Sequence, residues 1–234
     1  MKLLRNQNLG KDDKLLQNAM YNVVQFLIDY PKMAIVPSRE DGLIISGMFT
    51  FSASQNGSLT ISDEYHLKIH ISNMFPKTIP VVYELDDKIP RDGKHHINPD
   101  DTLCLGSPLR LKMILSKSKS IVGFAEKILV PYLYSMSHQR IVGGNLPANE
   151  LEHGEAGILR DYYELLKLNS PEQIRMALLI LGTRKRVANK KICPCNCGNS
   201  YGRCKYRKVL EEYRCLANRG WFRNHARNLG DYNR

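Results

Sequence analysis

The chain has 234 residues, 43% of them hydrophobic, which is enough to bury a core, and it carries a formal net charge of +11. From Gly182 onward it holds 14 Lys/Arg and 3 Asp/Glu, so that stretch accounts for the whole excess, while the preceding chain is balanced at 20 basic and 20 acidic residues. Composition argues against a secreted or membrane-spanning protein. The start, MKLLRNQNLGKDDK, has no apolar run of signal-peptide length, and the longest apolar run, Met176 to Leu181, is too short to cross a bilayer. The expectation is a cytoplasmic protein without membrane contact, in a reducing compartment where clustered cysteines bind metal more readily than they form disulfides.

Residues Asp12 to Tyr30 set Leu15, Leu16, Ala19, Met20, Val23, Phe26, Leu27 and Tyr30 at helical spacing, with Asp12 and Asp13 suited to the first turn. After Pro31 five strand-like runs follow: Met33–Val36, Leu43–Ser54, Ser58–Ile61, Tyr65–Ser72 and Val81–Leu85. Leu43, Ile45, Gly47, Phe49 and Phe51 alternate, as do Tyr65, Leu67, Ile69 and Ile71, with His66, Lys68 and His70 on the opposite face; this is the pattern of half-buried antiparallel strands. Turn signals at Glu40-Asp41-Gly42 and Gln55-Asn56-Gly57-Ser58 join the strands into a meander. FPKTIP, Phe75 to Pro80, ends the sheet because each proline removes a backbone donor.

Some twenty residues without periodicity, Asp86 to Ser107, come next and contain Cys104. A loop that long in a compact domain reads as functional. Helical pattern returns from Ser120 to Met136, with a kink expected at Pro131, and again over Gly157–Leu168 and Ser170–Leu181, the last opened by an N-cap serine followed by proline. Gly143–Glu150 reads as a loop, Arg184–Lys191 as a linker, Lys205–Leu216 as a short basic helix and Asn218–Arg234 as a frayed end.

Cysteine placement divides the chemistry. Cys104 stands alone, whereas Cys193, Cys195, Cys197, Cys204 and Cys215 crowd one window. A lone thiol in a polar loop, after Asp100 and Asp101, is a candidate nucleophile: its ordinary pKa of about 8.5 leaves a few per cent thiolate at pH 7, and that fraction is strongly nucleophilic. The spacing C-x-C-x-C-x6-C suits a tetrahedral thiolate site for structural Zn²⁺.

The order of helix, antiparallel meander, Phe-Pro-x-x-x-Pro break, long loop with one cysteine and following helix resembles a ubiquitin-conjugating enzyme. FPKTIPVVYEL is similar to that family's Tyr-Pro-x-x-Pro-Pro segment, His96-Ile97-Asn98 to its His-Pro-Asn tripeptide, and Leu103 to Gly106 to its active-site strip. The chain departs in the short offset from Asn98 to Cys104, in the missing middle proline and in the missing tryptophan after the cysteine. These departures point to a divergent bacterial member. The resemblance covers Asp12 to Met136 and implies an α+β ubiquitin-conjugating fold that carries an acyl group as a Cys104 thioester and transfers it to an amine. Within that reading Asn98 donates to the oxyanion or orders the loop, while His95 and His96 adjust the thiol or the incoming lysine.

CPCNCGNSYGRCK likewise resembles a SEC-C zinc knuckle, with Lys205 where a last ligand is usual; the expected ligands are Cys193, Cys195, Cys204 and, for the fourth sulfur, Cys197, with Cys215 the alternative. The implied organisation is a catalytic domain over 1–140, a helical extension and linker over 141–190 and a basic zinc-binding tail over 191–234. Bacterial relatives of the family serve CBASS-type antiphage systems. The resemblance therefore implies a donor protein with a conjugatable C-terminus, such as a cyclic-oligonucleotide synthase or a ubiquitin-like protein, an activating enzyme where the donor needs one, and a lysine-bearing target. Two other readings stay open: a catalytically inactive scaffold of the same fold, and a nucleic-acid-binding protein acting through the basic tail, with Tyr201, Tyr206, Tyr213 and Trp221 available for stacking.

Overall fold

The computed structural model describes residues 23–55, 59–92, 95–143 and 154–229 of a mixed α+β chain. It divides into two compact units, Met1–Cys104 with Ser118–Leu146, and Leu105–Lys117 with Pro147–Arg234. Among the described residues no helix is long and apolar enough to cross a membrane.

In the first unit helix α1, described over residues 23–29, buries Val23 and Phe26, and the ring of Tyr30 just beyond it stacks on Phe49 at 4.3 Å. The remainder of the expected opening helix lies outside the described residues. A four-stranded antiparallel sheet follows in the order β1 (Met33–Val36), β2 (Leu43–Ala53), β3 (Ile61–Ile71) and β4 (Val81–Glu84), each strand beside its sequence neighbour. The expected alternation holds: Tyr65, Leu67, Ile69 and Ile71 are buried and His66, Lys68 and His70 lie on the other face. Gly47 has φ +144°, and a Cβ there would come within 2.2 Å of the Lys32 carbonyl oxygen, so β1 approaches β2 this closely only because the position is glycine.

Ser58–Ile61 and Tyr65–Ser72, read as two strands, are one continuous strand from Ile61. The intervening Ser62, Asp63 and Glu64 break the apolar pattern but not the ladder, because each finds a polar partner: Ser62 Oγ donates to Ser52 Oγ at 2.8 Å, Lys32 pairs with Glu64 at 2.8 Å, and Asp63 accepts from Lys88, Ser137 and Arg140. Burial pushes the Asp63 carboxyl up, but those hydrogen bonds and the Glu64 N–H outweigh it and hold the group well below the usual carboxylate range. Before β4 the peptide between Phe75 and Pro76 is cis, and after it the described residues 85–92 and 95–107 form no helix or strand beyond isolated bridge pairs.

The expected helix from Ser120 is three pieces: α3 (Ile121–Phe124), capped by Ser120 Oγ on Gly123 N–H, a π-helical turn Ala125–Leu129, and α4 (Val130–Val142). Pro131 has no N–H for the Lys127 carbonyl, and Val130 N–H reaches back five residues to Ala125 O, so the register slips before the proline instead of kinking at it. Helix α4 packs on β2 and β3, burying Leu133 and Tyr134.

The second unit holds α2 (Pro108–Lys117), α5 (Gly154–Leu166), α6 (Pro171–Leu181), α7 (Lys185–Ala188), a 3-10 turn (Tyr201–Arg203), α8 (Arg207–Glu211) and α9 (Arg219–Asn228). Its core gathers Tyr162, Leu166, Ile174, Leu178, Tyr201 and Phe222, among others. Three expectations differ here. The linker Arg184–Lys191 contains α7, whose Ala188 is fully buried. Of the end read as frayed, Arg219–Asn228 is α9 and residues 230–234 lie outside the described residues: Asn218 Oδ1 accepts Trp221 N–H at 2.8 Å, and Phe222, Ala226 and Leu229 form an apolar stripe among basic neighbours. Helix α2, not expected at all, starts from a Ser107-Pro108 pair of the same kind as Ser170-Pro171.

Candidate functional sites

The Cys104 loop is built on a small hairpin. Pro99 stands second in the turn Asn98-Pro99-Asp100-Asp101, Asp101 N–H donates to Asn98 O at 2.9 Å, and Asp101 takes the left-handed φ of +63° that closes such a three-residue loop. Asn98 N–H then donates to Thr102 O at 2.8 Å, and Ile97 faces Leu103 across an antiparallel bridge. The ladder ends with Cys104 N–H on His96 O at 2.7 Å, which puts the half-buried thiol residue directly across from His96. Leu103 N–H reaches Val82 O at 2.8 Å and fastens the hairpin to β4.

The side chains reinforce this frame. Asn98 Nδ2 donates to Thr102 Oγ1 at 2.9 Å, and Thr102 Oγ1 donates on to Asp100 Oδ1 at 2.6 Å, a bond that, aided by Thr102 N–H, keeps the Asp100 carboxyl below its ordinary range. An asparagine amide has two N–H groups, so one remains beyond the bond to Thr102. Tyr132, on α4, donates its hydroxyl toward both His95 O (3.1 Å) and His96 O (3.2 Å), gripping the strand opposite Cys104. His95 turns its Nδ1 to Asp92 at 2.7 Å. Cys104, His96 and Asn98 are thus gathered on one hairpin, with the His95 ring committed to Asp92. Thr102 and Tyr132 escaped sequence reasoning. A threonine two residues after an Asp is a recognisable local signal, whereas Tyr132 reaches the loop only through the tertiary fold.

The second site is a four-sulfur cluster. Cys193, Cys195, Cys197 and Cys204 place their Sγ atoms within 4.8 Å of one another, with separations of 3.2 Å (Cys193 to Cys195) and 3.5 Å (Cys195 to Cys204, Cys197 to Cys204). A tetrahedron with metal–sulfur bonds of about 2.3 Å has edges of about 3.8 Å, so this donor set can hold a metal ion. Local backbone makes the knuckle: Asn196 and Gly198 take left-handed φ values of +59° and +76°, Asn196 N–H closes on Cys193 O at 3.2 Å, and Ile192 bridges Ser200. Tyr206 N–H donates to Cys204 Sγ at 3.4 Å. Burial pushes the Cys193 thiol up, while Asn199 N–H and the neighbouring sulfurs bring exposed Cys197 down to about 6. Cys215 lies outside the cluster, its thiol on Glu212 O. The fourth sulfur in the cluster is therefore that of Cys197.

No protein-family model matches the chain, and no curated protein matches it. Among solved structures it is similar to the yeast Vps23 UEV domain in complex with a Vps27 PSDP peptide, at 14% identity and a TM-score of 0.33, over 56% of this chain and 83% of that one. A likeness at that level decides nothing, and the fold rests on the elements described above.

Proposed function

We propose that the N-terminal unit is a ubiquitin-conjugating-like acyl transferase in which Cys104 accepts a protein C-terminus as a thioester and passes it to an amine. The observation that carries this reading is the hairpin: a half-buried thiol residue paired by its own N–H to His96 O, with Asn98 at the turn of the same hairpin. In the first step the thiolate attacks the donor's thioester carbonyl and the donor's thiol leaves; in the second a lysine amine attacks the Cys104 thioester, the C–S bond breaks, and the amine's proton goes to solvent or to a loop carboxylate. Asn98 orders the loop through Thr102 and offers its second amide N–H to the tetrahedral oxyanion. The family resemblance extends the proposal to a bacterial antiphage setting, with a cyclic-oligonucleotide synthase or a ubiquitin-like protein as donor. In the C-terminal unit the proposed ion is structural Zn²⁺, because an all-thiolate donor set favours it.

The test uses a synthetic peptide α-thioester ending in glycine as acyl donor and intact-mass detection. Wild type is expected to gain a thiol-sensitive adduct that Cys104→Ala lacks and that Cys104→Ser converts to a thiol-resistant ester. An undiminished adduct in Cys104→Ala, or no adduct in wild type alongside an unreactive Cys104 toward iodoacetamide, rejects the assignment and favours a non-catalytic scaffold.

A further inference from the structure

Part of the basic charge in the C-terminal unit holds the fold. Arg214 donates to Ile180 O, Leu181 O and Thr183 O, and Arg223 to Gly182 O, all carbonyls at or just past the end of α6. Arg207 donates to Gly202 O, and Lys185 pairs with Glu211. Six cations of the segment Arg184–Lys205 do none of this: Arg184, Arg186, Lys190, Lys191, Arg203 and Lys205 are exposed, and among the described residues none is paired with an acidic group. Between Glu172 and Glu211 the sequence has no Asp or Glu to neutralise them.

Backbone ties draw these cations together around the cysteine knuckle. Tyr201 N–H donates to Lys191 O at 2.8 Å and Gly202 N–H to Asn189 O at 3.0 Å, and the bridge between Ile192 and Ser200 completes the pairing. Lys190 and Lys191 therefore run alongside the turn that carries Arg203. The approach is tight, since a Cβ on Gly202 would stand 2.8 Å from Asn189 Cβ. Arg184 and Arg186 enter the same segment through α7. Four thiolates on a divalent ion would leave about two negative charges, too few to offset six cations.

We propose that this surface binds the phosphate backbone of double-helical nucleic acid without reading its bases. Duplex DNA presents one negative charge per about 1.7 Å of axis with no positive charge between, which complements six cations that no described acid pairs, the neighbouring Glu211 being taken by Lys185. Single-strand recognition would need exposed aromatic platforms, and here the aromatics face inward: Tyr201 is buried, Tyr206 and Tyr213 donate to Leu166 O and Leu165 O at 2.6 Å each, and Trp221 stacks on His225 at 4.7 Å. Helix α7, one turn long, is too short to lie along a major groove, so contact is with phosphates, which fix position but carry no sequence information. The exposed apolar residues in this segment are Val187 and Ile192, far less than the apolar face by which an interfacial helix enters a membrane.

The experiment is fluorescence anisotropy of the full chain, purified without chelators, against a fluorescein-labelled 24-base-pair DNA duplex. Six phosphate contacts predict a salt slope of about −5, hence roughly 10³-fold weaker binding at 200 mM than at 50 mM salt. The triple variant Arg186→Ala/Lys190→Ala/Lys191→Ala is expected to halve that slope while keeping wild-type metal content and circular dichroism. The wild-type slope needs no variant and stands as a test even if the triple variant misfolds. The proposal is overturned by no binding at 50 mM salt, by an unchanged slope in a folded variant, or by more than tenfold preference for one duplex sequence or for the single strand. Tighter binding to vesicles of 30% phosphatidylserine in phosphatidylcholine than to the duplex would equally overturn it.

Discussion

Asn98 uses its backbone N–H on Thr102 O and one side-chain N–H on Thr102 Oγ1, so the residue that would meet the oxyanion is also the one that shapes the hairpin. The two roles separate by mutation. Asn98→Ala is expected to slow transfer from the Cys104 thioester roughly 10²- to 10³-fold, the loss typical of an oxyanion donor. Thr102→Val removes the bond from Asn98 and the one to Asp100, each worth about 1 kcal/mol, and is expected to cost about thirtyfold or less. Single-turnover transfer to free lysine measures both, with Cys104 alkylation rates as the control for loop integrity. Equal losses in the two variants would mean that Asn98 acts through the loop alone. The left-handed Asp101 and His96 (φ +51°) belong to the same design, because both bend the chain so that Cys104 returns beside the strand it left.

Helices α2, α5 and α9 of the C-terminal unit meet around Tyr162 and Asp161. Ser107 and Arg110 both donate to the fully buried Asp161 carboxylate, which fixes the start of α2 on α5. Tyr162 OH accepts Leu109 N–H at 3.2 Å and shares a hydrogen bond of 2.6 Å with His225 Nε2. Burial first, then the Lys112 ammonium, bring His225 down to about 4, and the groups facing it are Tyr162, Trp221 and Lys112. With an unfolded value of about 6.5, the lowered folded value means that this contribution is whole above pH 6.5 and is lost as pH falls toward 4, by about 3 kcal/mol in full. The chain has a single tryptophan, Trp221, beside that histidine, so urea melts followed by its fluorescence read this unit. The midpoint is expected to drop between pH 6.5 and 4 in wild type and much less in His225→Phe; parallel curves for the two proteins would refute the assignment.

At the scale of the whole molecule the two units rest on different supports. The first has a sheet with its own apolar face, whereas in the second the buried Cys193 belongs to the apolar core that also holds Tyr201, Leu210 and Phe222. A metal on the four sulfurs would therefore brace a unit that also has a packed core, and its removal should weaken that unit without collapsing the chain. Metal analysis by mass spectrometry is expected to find one zinc per chain, none in Cys204→Ser, and a full complement in Cys215→Ser. In Cys204→Ser the Trp221 transition should move to lower urea while the far-ultraviolet dichroism of the sheet persists. Zinc lost from Cys215→Ser and kept in Cys197→Ser would reverse the ligand choice.

Local pattern was enough for much of this protein. Period-two alternation fixed which faces of β2 and β3 turn inward, the Ser170-Pro171 pair fixed the start of α6, and cysteine spacing marked the cluster, because each depends on residues within a few positions of one another. The polar stretch Ser62–Glu64 hid the continuity of β3, since its partners Lys88, Ser137 and Arg140 lie far along the chain. Helix α9 was hidden because its apolar residues are sparse, and helix α2 because Leu109, Leu111, Met113 and Leu115 stand at alternate and not helical spacing; Leu109 and Phe222 gain meaning only in a core shared with α5 and α6. The same reason governs the sites. The sequence by itself determined that one thiol stands apart in a polar loop and that a basic, cysteine-rich segment follows. Only the tertiary structure decided that Tyr132 grips the Cys104 hairpin, that Cys197 and not Cys215 joins the cluster, and which arginines are spent on α6 carbonyls while others face solvent. Burial and pairing are properties of where the chain returns, and no local spacing encodes that.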